Sequence, residues 1–233
     1  LKNDPCRQRA YEAFADHGLP HRRIEGWRWS DVQAAVKKAS GVENADAGRR
    51  FADVDCPVIR FHDTGVDVPS KRPAGARWID SKDTVAFGSA EDLPMGALAA
   101  AMADEPATFT LEIAADQLTP ISTVFDYTNE MNFAHIVILV REGASATILE
   151  DHASFGAVSN VVLDYVLEPN ARVQRVISQV AGENSVQIVS AKVRLQTAAR
   201  FEQFVFNTGG KLARLETRLT HQESGSDATL NGA

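Results

Sequence analysis

The turn Glu142-Gly-Ala-Ser recurs three more times along the chain, as Pro169-Asn-Ala-Arg, Thr197-Ala-Ala-Arg and Ser224-Gly-Ser-Asp. Aligned on their third residues, the four turns stand 27, 28 and 27 residues apart. A near-constant period in the twenties is typical of a solenoid, in which each repeat stacks only on its neighbours. Each repeat has room for two strands and two corners, which predicts a solenoid built from two sheets.

The segments between these turns alternate between apolar and polar positions. From 159 to 167 every second residue is apolar, and from 213 to 220 the same alternation sets small and apolar residues against Arg and Glu. A period of two indicates one buried and one solvated face. We therefore predict stacked parallel strands over 108–233, forming a flattened parallel β-helix. An antiparallel sandwich is the alternative, because it also shows turns about every 8–14 residues. The residues predicted to face the interior are Val161, Leu163, Tyr165, Val193, Leu195, Leu215 and Leu219.

The chain before residue 106 has a different, mixed pattern. Helical spacing of apolar residues predicts helices over 4–17, over 30–41 with Ser30 as the N-cap, and over 91–103. Short strands are predicted at 58–61 and 76–79. We predict a small helical or mixed α+β domain over 1–105 and the β-helix core over 106–233, incomplete at its C-terminus. The fold class is mainly β. An incomplete solenoid would present an open strand edge, so self-association through the last strands is expected.

Composition limits the functional classes. The 233 residues carry a net charge of −7, which disfavours binding to nucleic acid or to anionic lipid. No run of 18 apolar residues occurs, so no transmembrane helix is predicted. Cys6 and Cys56 stand far apart without a CxxC motif, which favours a reducing compartment, and we predict a cytoplasmic protein.

A basic and aromatic segment follows the first predicted helix: Leu19-Pro-His-Arg-Arg-Ile-Glu-Gly-Trp-Arg-Trp. Two roles remain open for it. It can act as an intramolecular clamp, with the Trp side chains packed on the β-helix and the Arg side chains paired with Glu25 or Asp31. It can also form a docking surface for a partner. A stacking patch for nucleic acid is improbable on an acidic chain. The candidate residues are Arg22, Arg23, Glu25, Trp27 and Trp29.

The segment whose residue types are most typical of a catalytic or metal-binding site is Glu150-Asp151-His152. Two carboxylates beside an imidazole can hold a metal transiently, but a solvated β-helix corner is the favoured prediction. Two remote cysteines cannot supply the clustered thiolates that an iron–sulfur cluster needs. We therefore predict no catalytic residue, no metal site and no cofactor bound by this chain alone.

Two stretches resemble a known family. The segment over 19–32 resembles the N-terminal LPxRRxExWxYTxL motif of SufD proteins, with Trp29 and Ser30 in place of Tyr and Thr. Residues 133–233 resemble the β-helix core of the SufB/SufD family, including Val158-Ser-Asn-Val-Val-Leu-Asp-Tyr and Gly210-Lys-Leu-Ala-Arg-Leu-Glu. The first motif favours the SufD branch.

The resemblance implies a right-handed parallel β-helix that acts as a non-catalytic scaffold in iron–sulfur cluster assembly by the SUF system. It implies SufB and the SufC ATPase as partners, with the cluster held transiently by the whole complex. The main contact regions for both partners would lie further toward the C-terminus than Ala233. Two alternatives come from other classes: a β-helix carbohydrate-active lyase or hydrolase, and a self-assembling β-solenoid.

Overall fold

The computed structural model describes residues 5–41, 50–79, 92–103, 108–127, 130–154 and 156–233. Its helices are α1 (Pro5–His17), α2 (Val32–Val36) and α3 (Pro94–Met102), and a single 3-10 turn covers Glu25–Trp27. The strands are β1 (Val58–His62), β2 (Gly65–Asp67), β3 (Ala76–Ile79), β4 (Thr108–Ile113), β5 (Gln117–Tyr127), β6 (Met131–Val140), β7 (Ser145–Ser154), β8 (Val158–Leu167), β9 (Arg172–Ala181), β10 (Val186–Leu195), β11 (Arg200–Gly209), β12 (Leu212–His221) and β13 (Asp227–Gly232).

The strands form two sheets that share one core. Sheet A has the order β13-β11-β9-β7-β5-β1-β2, and sheet B has the order β12-β10-β8-β6-β4-β3. From β4 onward the chain alternates between the sheets, and each of these strands pairs in parallel with the equivalent strand of the next turn. The prediction of a mainly β, two-sheet parallel solenoid is confirmed, and the antiparallel sandwich is wrong.

The strand register reproduces the period of the sequence. In sheet A, Ser145 aligns with Arg172, Arg172 with Arg200, and Arg200 with Asp227, which are again steps of 27, 28 and 27 residues. The inward set is confirmed as well. Five of its members, on β8 and β10, are fully buried, and Leu215 and Leu219 are partly buried against the same core.

In sheet A, the corners before β7, β9, β11 and β13 each have one residue in the left-handed region, at equivalent positions. These residues are Gly143, Asn170, Ala198 and Gly225, with φ of 70°, 61°, 54° and 76°. Left-handed backbone favours Gly and Asn, which explains the recurrent small turn sequences. The Asn170 N–H donates to the Thr197 carbonyl at 2.9 Å, so each corner is also hydrogen-bonded to the corner of the next turn.

The helices cover the outer face of sheet B. α3 lies across β8, where the Asn160 side-chain amide donates to the Met95 carbonyl at 2.8 Å. This cover buries β8 on both faces, and all ten of its residues are inaccessible. α1 packs on α3, and the Arg7 guanidinium donates to the Ala101 carbonyl at 3.1 Å.

The predicted helices need two corrections. α2 begins at Val32 and ends at Val36, and its N-cap is Asp31, whose Oδ1 accepts from the Ala34 N–H at 3.0 Å. Ser30 is not the N-cap, and its hydroxyl accepts a hydrogen bond from Arg214 of β12. α3 begins at Pro94, where the fixed backbone of proline suits the first helical turn. Within the described ranges, no helix combines the length and the apolarity needed to span a bilayer.

The predicted strands at 58–61 and 76–79 are present as β1 and β3, and they are part of the same two sheets as the later strands. β1 pairs in parallel with β5, and β3 pairs antiparallel with β4. The predicted domain boundary between 105 and 106 lies outside the described residues and stays a prediction.

Candidate functional site

The inner face of sheet A contains a buried ion pair. Glu150 on β7 and Arg175 on β9 both point into the solenoid, with 0% and 1% of their surface exposed. The guanidinium binds the carboxylate in a two-pronged manner, with Nε to Oε1 at 2.7 Å and Nη2 to Oε2 at 2.7 Å. Arg175 aligns with Ile148 in the strand register, so it reaches Glu150 diagonally across the sheet. Planar guanidinium and carboxylate groups match in this geometry, which gives the strongest type of side-chain hydrogen bond.

Two further groups complete the coordination of the Glu150 carboxylate. The Tyr165 hydroxyl crosses the core from β8 and donates to Oε1 at 2.5 Å. The His152 imidazole Nε2 lies 3.0 Å from Oε2 and donates to it. The carboxylate therefore accepts four hydrogen bonds in a site closed to water, which is what a buried charge requires.

The network continues along the solenoid axis. Arg175 Nη1 donates to the Gln203 side-chain oxygen on β11 at 2.8 Å, and the Thr217 hydroxyl on β12 donates to the same oxygen at 3.1 Å. The polar groups thus connect the turns of β7, β9 and β11 within the core. A chain of this kind resists relative movement of the turns, because each member would lose a buried partner.

An aromatic stack lies next to the network. Phe61, Phe125 and His152 occupy aligned register positions on β1, β5 and β7. The rings are nearly parallel, with centroids 4.9 Å apart for the two phenylalanines and 4.2 Å apart for Phe125 and His152. The stack holds the imidazole plane, and the Glu150 hydrogen bond sets its rotation.

The charges of the network are fixed by their neighbours. Burial acts to raise the pKa of Glu150, but the Arg175 charge and the hydrogen bonds from His152 and Arg175 outweigh it and lower the pKa to about 2. Burial acts to lower the pKa of Arg175, but the Glu150 charge outweighs it and raises that pKa. Burial and the adjacent carboxylate hold the pKa of Tyr165 well above its usual range. At neutral pH the site is a carboxylate paired with a guanidinium and a neutral phenol.

The predicted solvated corner at 150–152 is wrong. All three residues lie within β7, are at most 1% exposed, and alternate between the two faces of sheet A. Glu150 and His152 face inward, whereas the Asp151 carboxylate faces outward and accepts from the Arg50 N–H at 2.8 Å. Strand parity therefore separates Asp151 from the other two, and they cannot act as one three-residue cluster.

Sequence reasoning missed Arg175, Tyr165 and Gln203 as partners. The available signal was the inward parity of Arg175, which lies between the apolar Val173 and Ile177 on β9. A charged residue at an inward position requires a buried counter-charge, and Glu150 one turn earlier is such a group.

The described residues contain no group of three or more His, Cys, Asp and Glu side chains placed to hold a metal. Cys56, which is half-buried, carries a free thiol. Burial raises the pKa of the Cys56 thiol, and the neighbouring Asp55 carboxylate also raises it. A hydrogen bond with the Ser122 backbone lowers the pKa, but it does not outweigh the other two effects. The thiol therefore stays protonated at neutral pH.

The basic and aromatic segment is anchored by one of its two tryptophans. Trp27 is 3% exposed and packs with Val32, Met95, Val186 and Ile188 between the helices and sheet B. The Arg214 guanidinium of β12 lies over its ring, 3.9 Å from the centroid. A cation on the face of a buried indole is a favourable contact, which attaches this segment to the solenoid.

The second tryptophan points the other way. Trp29 is 87% exposed, and the Arg28 guanidinium lies 5.1 Å from its ring centroid. Arg22, Arg23 and Glu25 are also exposed. Trp27 therefore packs on the β-helix as the predicted intramolecular clamp requires, whereas Trp29 does not. Among the described residues, no ion pair joins these arginines to Glu25 or Asp31, because Asp31 caps α2.

Taken together, these features define the class: a two-sheet parallel β-solenoid with a polar network inside and a helical cover on sheet B. The family model of the SUF system FeS cluster assembly, SufBD core domain, matches residues 123–233, from β5 to the last residue. This part of the chain is therefore similar to a SufBD core domain, which is consistent with a member of the SufB/SufD family, and the match does not distinguish SufD from SufB. No curated protein matches the chain. The domain supports involvement in iron–sulfur cluster assembly by the SUF system.

Proposed function

We propose that the chain is a non-catalytic scaffold subunit of a cytoplasmic SUF complex and works with SufB and the SufC ATPase. The observation that supports this most is the match of the SufBD core domain to the solenoid itself, over residues 123–233. A solenoid buries one continuous core and holds its outer faces at fixed spacing, which suits a subunit that positions partners.

The chemistry of the interior supports a structural role for the polar groups. Glu150 and His152 carry the residue types of an acid–base pair, yet both are at most 1% exposed. The carboxylate oxygens are occupied by Arg175, Tyr165 and His152. A general acid or base must reach the proton it transfers, and this pair is sealed by its own partners.

The iron–sulfur cluster is, in this proposal, cargo of the complex and not a resident group of this chain. Only two cysteines, Cys6 and Cys56, occur in the sequence and they stand far apart, which supports this view because a protein-bound cluster normally needs several thiolates at close spacing. Anaerobic reconstitution of the isolated chain with iron and sulfide should leave it without a retained cluster. A stoichiometric cluster that is lost in a Cys6→Ser/Cys56→Ser variant would contradict this part.

Co-expression with the SufB and SufC proteins of the same genome tests the partnership. The tagged protein, expressed from its complete gene, should capture both partners, and the complex should assemble a cluster that the tagged protein alone does not. Two glycine variants provide the control. A Cβ at Gly209 would lie 2.3 Å from the Ala181 carbonyl oxygen, whereas a Cβ at Gly26 meets no atom within 4 Å.

Gly209→Ala should therefore distort the corner between β11 and β12 and abolish capture, while Gly26→Ala should capture like the wild type. A folded wild-type protein, expressed from its complete gene, that captures neither SufB nor SufC would reject the proposed partnership. Cleavage of polysaccharide by the purified chain would instead assign it to the carbohydrate-active β-helix enzymes.

A further inference from the structure

Trp29 is displayed on a rigid segment and not on a mobile tail. The backbone around it is hydrogen-bonded at successive positions: Trp27 N–H to the Ile24 carbonyl at 2.9 Å, Arg28 N–H to the Glu25 carbonyl at 3.2 Å, and Ser30 N–H to the Trp27 carbonyl at 2.9 Å. Trp27 and the contact from Arg214 to Ser30 hold both ends of the segment against sheet B. The backbone position from which the second indole projects is therefore fixed by the buried position of the first.

An indole held in water in this way is unusual for a structural residue. Trp is the largest apolar side chain, and its burial is worth more than that of other residues, so an 87% exposed Trp on a fixed backbone gains nothing for folding. Trp and Arg are also the residues most enriched at the energetic centres of protein interfaces. Exposure, rigidity and residue type together indicate a contact surface.

The charge around Trp29 defines the partner. The segment 21–30 carries three exposed arginines against one exposed carboxylate, Glu25, on a chain whose net charge is −7. Asp31, next in sequence, is committed to the cap of α2. A local positive surface on an acidic protein attracts negatively charged groups and repels other basic surfaces.

We propose that Trp29 with Arg22, Arg23 and Arg28 forms a docking surface for an acidic protein segment that carries an apolar side chain. The apolar group would pack on the free face and edge of the indole, and the flanking carboxylates would pair with the guanidinium groups. This proposal is independent of the identity of the SUF partners and of the scaffold function.

A protein segment fits better than single-stranded nucleic acid. Nucleic acid binds to several aromatic platforms along a basic groove, whereas Trp29 is a single exposed platform and Arg28 already covers one side of it.

The test uses the whole chain and a short fluorescein-labelled peptide in which Leu and Phe are flanked on both sides by Asp and Glu. Fluorescence anisotropy should show binding that weakens with added salt. Trp29→Ala and Arg28→Glu should each weaken it by at least about tenfold, as expected for the centre of an interface. Trp29→Phe should keep most of the affinity. Tyr11→Ala removes another exposed aromatic side chain, on α1, and should leave binding unchanged.

Other outcomes would overturn the proposal. Equal affinity of the wild type and Trp29→Ala, or equal binding of a peptide with Lys flanks, would reject a docking surface for acidic segments. Tighter, Trp29-dependent binding of an oligothymidine would assign the surface to nucleic acid. A dimer in sedimentation experiments that Trp29→Ala dissociates would assign it to a second copy of this chain. Because the assay contains neither SufB nor SufC, a negative result here would not change the interpretation of the capture experiment above.

Discussion

The inner faces of the two sheets close the same core with different chemistry. On β8 and β10 of sheet B, the inward side chains from Val161 to Leu167 and from Val189 to Leu195 are apolar apart from the Tyr165 hydroxyl. On sheet A, the inward positions of β7, β9 and β11 include Glu150, Arg175 and Gln203 among aliphatic residues. Sheet B packs on the core through shape complementarity of apolar side chains, whereas sheet A is also held by charge pairing and directed hydrogen bonds.

The difference teaches how register is specified in a solenoid with a period-two strand pattern. A slip of two residues keeps the same face inward on either sheet. On β10 of sheet B, between Val189 and Leu195, such a slip exchanges one aliphatic side chain for another. On sheet A a slip that moves Arg175 from Ile148 to Ala146 separates it from Glu150 and breaks a buried ion pair, which costs several kcal/mol per ion by general estimates. We infer that the polar face selects the register and that the apolar face supplies most of the burial.

The largest effect is expected from breaking the ion pair. Arg175→Met should lower the free energy of unfolding by about 3–5 kcal/mol, because the Glu150 charge stays buried without its counter-ion. The double variant Glu150→Leu/Arg175→Met should lose less than the sum of the two single variants. Denaturant unfolding of the four proteins measures this coupling.

Arg172→Met is the matched control, since Arg172 lies on the same strand but faces solvent. Its effect should stay within about 0.5 kcal/mol. A loss for Arg175→Met as small as that of Arg172→Met would show that the pair does not hold sheet A together.

Acid should weaken the polar network of sheet A. The pKa of Glu150 is lowered to about 2 from 4.5, so its contribution is complete above pH 4.5 and disappears as the pH falls from 4.5 toward 2. By linkage this amounts to roughly 3 kcal/mol. Glu150→Gln should unfold with a correspondingly flatter pH dependence than the wild type over this range. Parallel pH curves for the two proteins would contradict the ionised, buried carboxylate.

A cavity in sheet B should cost less and should not depend on pH. Val193→Ala removes two methyl groups from a fully buried site on β10, for which we expect a loss of about 2 kcal/mol. The loss should be the same at pH 3 and pH 7, as measured by urea unfolding. Val54→Ala, at a 39% exposed position, should change stability far less.

The smallest effect is expected where the two faces meet. Thr217 is an inward residue of sheet B whose hydroxyl donates to Gln203 of sheet A at 3.1 Å. Thr217→Val keeps the shape and removes the donor, which should cost about 1 kcal/mol. Thr217→Ser should retain the hydrogen bond, so its free energy of unfolding should stay closer to that of the wild type. Repeating both substitutions in a Gln203→Leu background, where the acceptor is missing, isolates the contribution of this one bond. Additive losses for Thr217→Val and Gln203→Leu would show that the two residues are not coupled.

Much of the fold could be predicted from the chain itself. The recurrent turns at Glu142, Pro169, Thr197 and Ser224 are local features, because left-handed backbone favours Gly or Asn. The alternation of β8 and β12 is local as well. The start of α2 could not be predicted, since Ser30 and Asp31 are equally good caps by residue type and only the structure shows that Asp31 has this role.

The sequence alone determined the period, the parity of the strands and thereby the two-sheet solenoid, because turn chemistry and side-chain alternation act over a few residues. The tertiary structure alone decided which polar groups meet. Glu150 and Arg175 are 25 residues apart and come together only when one turn stacks on the next. It also decided that Trp27 is buried and Trp29 is exposed, although both are the same residue type within three positions. The segment has one side against sheet B, and only the indole on that side finds Arg214 and an apolar surface to pack on.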